Sequence, residues 1–180
     1  MRISISGPPG SGKTTAARGV AKNLGLKLIL TGNIFRAMAA ERNMSLEDFG
    51  ILALEDSSID KELDKRVLKK FVDNTLLEGR LSGALAKIND IIAFKVYIDA
   101  SVETRAVRVR YREGGELEAI INDIEERNRV ENERYMSIYG VDPSNHSIYD
   151  FVISTDLMPA SEVSDIISKR AVVWEGRNVR

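Results

Sequence analysis

The residues with the clearest chemistry lie in one stretch near the start of the chain, Gly7-Pro-Pro-Gly-Ser-Gly-Lys-Thr14. The stretch matches the phosphate-binding pattern G-x-x-x-x-G-K-[ST] at every fixed position. Glycines let the backbone approach a phosphate closely, and the first N–H groups of a following helix point at the same anion. Lys13 is expected to reach the β- and γ-phosphates of ATP, and the Thr14 hydroxyl to face Mg²⁺. We expect the nucleotide to be held by Gly7, Pro8, Pro9, Gly10, Ser11, Gly12, Lys13, Thr14 and Thr15.

A second set of candidate residues is cationic and spread along the chain. Phosphoryl transfer between two anionic substrates requires charge to be neutralised while the reacting oxygens are aligned, and the arginine fork can bind two phosphate oxygens. Arg36 and Arg80 follow predicted strands, at the edge where open α/β sheets bind ligands. The remaining candidates lie on helices that carry both charges, where a solvated surface is an equal alternative. These are Arg108, Arg112, Arg127, Arg129 and Arg134.

Two carboxylates, Asp60 and Asp64, lie one helical turn apart on a predicted helix. A carboxylate at this place could accept a hydrogen bond from the exocyclic amino group of a base, as Asp and Glu do with cytosine. The neighbouring Lys61 and Lys65 offer another explanation, surface ion pairing, and the sequence favours it. His146, the only histidine, is expected in a surface loop without a role, and Trp174 is expected to pack.

The predicted elements place these residues on an alternating α/β scaffold. Apolar and β-branched runs predict strands over 2–6, 26–30, 75–77, 92–99 and 150–155. Helical periodicity predicts helices over 14–24, 102–112, about 116–135 and 161–173. Ser45 and Ser101 are predicted to be N-caps of helices. Two or three further helices are expected within 34–73, which is longer than a minimal crossover. We therefore expect a parallel sheet with helices on both faces and an inserted helical lobe.

Composition narrows the class of protein further. The 180 residues suit one domain, and a net charge of −1 does not predict bulk attraction to nucleic acid or anionic lipid. Cysteine is absent, which excludes thiol catalysis and disulfides. The chain enters a predicted strand at its second residue and has no long apolar run, so we expect a cytoplasmic protein without a signal peptide or membrane span.

Several motifs together resemble those of the archaeal-type cytidylate kinases over nearly the whole chain. Beyond the glycine-rich loop they are Thr31-Gly-Asn-Ile-Phe-Arg36, Ser45-Leu-Glu-Asp-Phe49, Ile59-Asp60, Leu77-Glu-Gly-Arg80-Leu-Ser-Gly83, Arg134-Tyr135, Tyr139-Gly140 and Ser147-Ile-Tyr-Asp-Phe-Val-Ile153. The resemblance implies a three-layer P-loop nucleoside-monophosphate kinase fold with a five-stranded parallel sheet. It implies a single domain with core segments 1–32, 74–107 and 148–180, a monophosphate-binding lobe at 33–73 and a lid at about 108–135.

The same resemblance implies an activity and residue roles. The activity is Mg²⁺-dependent transfer from ATP to CMP or dCMP, by a protein expected to be a monomer. Thr31, Arg36 and Arg80 would hold the CMP phosphate, and Arg108 would lie by the base and phosphates of ATP. Arg127 and Arg134 match the exit helix of the lid and would bridge the transferring group. The catalytic set is completed by Lys13, Arg36 and Arg80. Asp60 and Asp64 remain candidates for binding the acceptor.

Two positions depart from the family pattern. Asn33 stands where the archaeal pattern usually has Asp, a mild change. Leu81 stands where bacterial cytidylate kinases carry an Asp that recognises the base, so base selection must be built differently here. Kinases of AMP, UMP or shikimate would use the same loop, arginines and lid, and a nucleotide-binding NTPase or assembly factor is a further alternative. The inserted lobe with Arg36 at its root disfavours the last, because a switch protein needs no second phosphate pocket.

Overall fold

Five strands form one parallel sheet, which the computed structural model describes within residues 1–178. The strands are β1 (Arg2–Ser6), β2 (Lys27–Leu30), β3 (Thr75–Glu78), β4 (Phe94–Asp99) and β5 (Phe151–Ser154). Their order is β2-β3-β1-β4-β5, and each neighbouring pair runs parallel. The chain therefore first extends the sheet to one side of β1 and then to the other. The carboxyl end of β1 lies where that direction reverses, which is where such sheets bind ligands.

The described residues contain eight α-helices, α1 (Lys13–Leu24), α2 (Thr31–Glu41), α3 (Leu46–Glu55), α4 (Ser57–Lys70), α5 (Ser82–Ile88), α6 (Val102–Glu113), α7 (Leu117–Tyr139) and α8 (Ala160–Asn178). A short 3-10 helix spans His146–Ile148. Predicted caps are confirmed at Ser45 and Ser101, whose hydroxyls accept from the backbone N–H groups of Asp48 and Thr104. Among the described helices, none combines the length and the apolar character required to cross a lipid bilayer.

Helices cover both faces of the sheet. On one face α1 and α8 pack against Ile3 and Ile5 of β1, with Val20 and Ile167 fully buried between them. On the other face α5 and α4 pack against β3, around Leu77 and Val67. The three-layer α/β arrangement predicted from the sequence is therefore confirmed.

The alternation of β1 has a different cause from the usual half-exposed strand. Ser4 and Ser6 are as buried as Ile3 and Ile5, with which they alternate. The Ser6 hydroxyl bonds to the hydroxyl of Ser82 at 2.9 Å and accepts from the backbone N–H of Gly83 at 2.9 Å. Small polar residues thus let the start of α5 approach the strand closely, which a larger side chain would prevent.

Two smaller apolar clusters lie outside the main layers. Helices α2, α3 and α4 bury Met38, Phe49 and Ile59 among themselves. Helices α6 and α7 bury Ala106, Ile120 and Ile124. Each group of helices therefore has packing of its own in addition to its contacts with the sheet.

Some predicted boundaries were wrong. Helix α5 was not predicted, because its residues 82–86 are all buried and show no amphipathic period. Helix α7 continues to Tyr139 instead of ending near Tyr135, and α8 continues to Asn178. Strand β4 begins at Phe94 because the preceding residues, 89–91, make the turn that closes α5. Trp174 packs against Phe94 with ring centroids 5.8 Å apart, as expected.

Candidate active site

The glycine-rich loop connects β1 to α1, as the motif predicts. Gly12 is the N-cap of α1 with φ of 86°, and no side chain caps the helix, so the first N–H groups remain available to an anion. Gly10 has φ of 78°, and a Cβ at this position would lie 2.9 Å from Arg105. The loop is therefore a shape that glycine permits and that other residues would distort.

Lys13 extends from the start of α1 back across the loop. Its Nζ donates to the Pro8 carbonyl at 3.0 Å. Burial lowers the pKa of Lys13 to about 8, an effect that the nearby Glu78 carboxylate opposes and the cations Arg80 and Arg127 strengthen. Phosphate oxygens that bind beside this ammonium would accept its hydrogen bonds and stabilise its protonated form.

Glu78 is a candidate functional residue to which the sequence assigned no role. It is buried at the carboxyl end of β3, and burial raises its pKa although Lys13 and the Thr14 hydroxyl act in the opposite direction. The signal in the sequence was its position, directly before Gly79-Arg80 at the end of a strand. The Thr14 hydroxyl and the Glu78 carboxylate are hard oxygen groups on neighbouring elements, which fits the ligand preference of Mg²⁺.

Strands β2 and β3 bring two further predicted residues together. Leu30 pairs with Glu78, which places Thr31 beside Gly79. The approach is so close that a Cβ on Gly79 would lie 2.4 Å from the Thr31 hydroxyl oxygen. Arg80 follows immediately, so the ends of both strands contribute to one place.

Arg36 lies one turn into α2 and is exposed to solvent. Its Nη2 donates to Oδ1 of Asn33 at 2.5 Å. Asn33, the first departure from the family pattern, therefore orients this guanidinium without neutralising its charge. Lys13, Thr31, Arg36 and Arg80 all line one cavity of about 700 Å³, so the structure brings these predicted residues together.

Helix α7 supplies a carboxylate among the predicted cations. Glu131 forms ion pairs with Arg80 and with Arg127, the latter at 3.2 Å from Nε to Oε1. The Glu131 side chain is 14 % exposed, whereas that of Arg127 is 66 % exposed. Sequence analysis missed Glu131 because its spacing matches the surface pairs on the same helix.

The other predicted arginines fall into two groups. Arg108 donates to the Gly10 carbonyl at 3.2 Å and to the Thr155 hydroxyl at 2.9 Å, which ties α6 to the glycine-rich loop and to the segment after β5. Arg112 is exposed and pairs with Glu113. Arg129 is also exposed and pairs with Glu126 and Glu133. These two candidates therefore lie outside the cavity.

The expectation of surface pairing for Asp60 and Asp64 was wrong. Both are buried on the face of α4 that lines the cavity, at 5 % and 8 % exposure, while Lys61 and Lys65 point away to solvent. Oδ2 of Asp60 lies 3.5 Å from Nε of Arg134, and the Tyr139 hydroxyl donates to Asp64. Arg134 thus faces helix α4 and not the glycine-rich loop.

A glycine-rich loop whose lysine shares one cavity with Arg36 and Arg80, at the switch point of a parallel sheet, defines a P-loop kinase of small molecules. Within that class, the model of the cytidylate kinase-like family matches residues 2–157, and the chain belongs to this family. The cytidylate kinase of Archaeoglobus fulgidus is 41 % identical over 175 residues, which cover 96 % of each chain. That of Methanopyrus kandleri is 41 % identical and covers 92 % of this chain and 90 % of its own.

Solved structures at low identity share the fold. An uncharacterized protein from Eubacterium ventriosum superposes with a TM-score of 0.72 at 17 % identity, over 94 % of this chain and 97 % of its own. Shikimate kinase from Acinetobacter baumannii superposes with a TM-score of 0.62 at 14 % identity, over 99 % and 94 %. These similarities support the P-loop kinase fold alone.

Proposed function

We propose that the protein transfers the γ-phosphoryl group of ATP to CMP or dCMP, producing ADP and CDP or dCDP. The observation that carries this proposal is the single cavity of about 700 Å³, which runs from Lys13 to Arg36 and Arg80 and continues under the lobe. A triphosphate on the glycine-rich loop leaves the rest of that space for a second anionic substrate. The curated relatives at about 40 % identity are cytidylate kinases, which favours CMP as that substrate.

The reaction needs positioning and charge neutralisation more than acid–base chemistry. The loop N–H groups and Lys13 bind the triphosphate, while Thr31, Arg36 and Arg80 bind the acceptor phosphate. An oxygen of the CMP phosphate attacks the γ-phosphorus, and the bond from that phosphorus to the bridging oxygen of ADP breaks. The CMP phosphate is already ionised at neutral pH, so no side chain must remove a proton. Arg127, an exposed residue of the cavity lining, would stabilise charge on the transferring group.

The Thr14 hydroxyl would be a ligand of Mg²⁺, and the Glu78 carboxylate lies next to that hydroxyl. When bound, Mg²⁺ neutralises charge on the β- and γ-phosphates and fixes their geometry. Glu78 also keeps a negative charge near Lys13, which favours the protonated ammonium that the phosphates require.

We propose that the lobe at 33–73 and the lid at about 108–135 close over the two nucleotides. Closure excludes water, which would otherwise accept the phosphoryl group. The proposed lid region includes Arg108, which donates to the Gly10 carbonyl, at its entry and Arg127, which lines the cavity, near its exit. We further propose that the protein acts as a monomer in the cytoplasm.

An acceptor panel tests the function. ADP formation from ATP should depend on the acceptor, with CMP and dCMP far more effective than UMP, AMP or shikimate. Lys13→Ala should reduce turnover by about 100-fold or more without loss of the fold, because the positive charge of Lys13 no longer stabilises the transition state. Equal ADP release without any acceptor would instead support an NTPase.

A further inference from the structure

We infer that Asp60, Asp64 and Arg134 form a base-recognition cluster that accepts cytosine and rejects uracil. The inference rests on the proposed function and extends it to the residues that select the acceptor. Position is its first support. Both carboxylates lie on α4 in the cavity wall that also contains Arg36 and Arg80, where the acceptor phosphate is expected.

Unsatisfied hydrogen-bonding capacity is the second support. Oδ2 of Asp60 and Nε of Arg134 are buried, and neither has a hydrogen-bond partner within the described residues. They face each other at 3.5 Å, too far for a good hydrogen bond. Buried polar atoms are ordinarily paired, so these two are available to a ligand with complementary groups. Tyr139 donates to Asp64 and thereby fixes the orientation of the second carboxylate.

The chemistry of the cluster matches one pyrimidine. Cytosine presents an amino group that donates and two atoms, N3 and O2, that accept. A carboxylate can only accept and a guanidinium can only donate, so the pair is complementary to that edge. Uracil presents a carbonyl in place of the amino group and an N–H in place of N3. It would therefore place acceptor against acceptor and donor against donor, which excludes it more strongly than a missing contact would.

The protonation state at neutral pH is consistent with this role. Burial raises the pKa of Asp64 to about 6, and the nearby charge of Asp60 adds to the increase. The group is still mainly ionised at pH 7.5, as an acceptor must be. Burial also raises the pKa of Asp60, while the charge of Arg134 opposes the change.

Apolar side chains complete a space suited to a flat base. Phe35, Leu54 and Leu63 line the same cavity, and the Phe35 ring packs on Phe49 with centroids 4.7 Å apart. Leu81, where a base-recognising Asp would stand in bacterial relatives, is buried and apolar. The side chain at position 81 thus offers no hydrogen bond, and α4 and α7 supply the polar groups instead.

The test is a comparison of kcat/KM for CMP and UMP at saturating ATP. Wild-type enzyme should prefer CMP by about 100-fold or more, because a site built for one hydrogen-bonding pattern rejects the other. Asp60→Asn and Asp64→Asn should each reduce that preference by about tenfold or more, since an amide can donate to the uracil carbonyl. Lys61→Asn, on the exposed side of the same helix, should leave the preference unchanged.

Folding and function are controlled separately. ATP affinity and the melting temperature show whether each variant is folded, and the two Asn variants provide independent tests if one is unstable. An unchanged preference in both folded Asn variants overturns the base-recognition cluster while leaving the proposed function intact. A wild-type enzyme that does not phosphorylate CMP overturns the proposed function, and this inference with it.

Discussion

The depressed pKa of Lys13 makes ATP affinity dependent on pH in a predictable direction. The free enzyme holds this ammonium with a pKa of about 8, mainly because it is buried. Bound phosphates favour the protonated form, so the pKa of Lys13 is higher in the complex than in the free enzyme. Where the free lysine has lost its proton, binding must take one up. Affinity is therefore fully present well below the free-enzyme pKa of about 8 and falls as pH rises through it.

The magnitude follows from the fraction of lysine that remains protonated. At about pH 9, one unit above the pKa, roughly one tenth of the free enzyme is charged, so the Kd for ATP should be about tenfold weaker, or about 1.4 kcal/mol. At about pH 8 the weakening should be about twofold. The effect should end where pH reaches the pKa of Lys13 in the complex.

Isothermal titration with ATP and saturating Mg²⁺, without an acceptor, measures this directly. A series from about pH 7.5 to about pH 9.5 keeps the ATP phosphates fully ionised, so the change reports on the protein. Lys13→Arg retains its charge throughout this range and should show a flat Kd. An equally flat Kd in the wild-type enzyme would refute the reasoning.

Three further predictions concern the acceptor side of the cavity. Arg36→Ala should raise the KM for CMP by about tenfold or more while the Kd for ATP is unchanged, because one charged phosphate contact is lost. The control is Arg66→Ala, which removes surface ion pairs in the same lobe and should change neither constant. An unaltered KM in Arg36→Ala would remove that residue from the site. Gly79→Ala should weaken CMP use and lower Tm, since its Cβ would meet Thr31 at 2.4 Å, whereas Gly176→Ala meets nothing within 4 Å and should be neutral. Glu131→Ala should destabilise the ligand-free protein by about 2 kcal/mol, seen as a Tm shift of about 4–8 °C, by leaving the largely buried Arg80 without its counter-charge. The exposed Glu133→Ala is the matched control, and equal Tm shifts in the two variants would contradict this role for Glu131.

Local signals were sufficient to predict the scaffold and the triphosphate site. The glycine-rich loop, the caps at Ser45 and Ser101 and the strand at 2–6 depend on neighbouring residues in the chain, so their patterns are visible in the sequence. The edge at which parallel strands end then predicted that Arg36 and Arg80 would approach the loop, and both line its cavity.

Residues whose role depends on tertiary contacts could not be predicted in the same way. Asp60 and Asp64 have lysines beside them in the sequence, and only the packing of α4 against the cavity shows which side they occupy. Arg127 and Arg129 lie on the same charged helix, yet only the first lines the cavity. Helix α5 shows no amphipathic period because it is buried on several sides, so its residues resemble a buried strand or loop.

The central claim is that two nucleotides meet in one cavity and exchange a phosphoryl group directly. A single-turnover reaction with ATP labelled in its γ-phosphate, mixed with CMP, follows the group itself. The account predicts that the label appears in the β-phosphate of CDP, with one CDP formed for each ADP. Label recovered instead as inorganic phosphate, at a rate that CMP does not change, would contradict it.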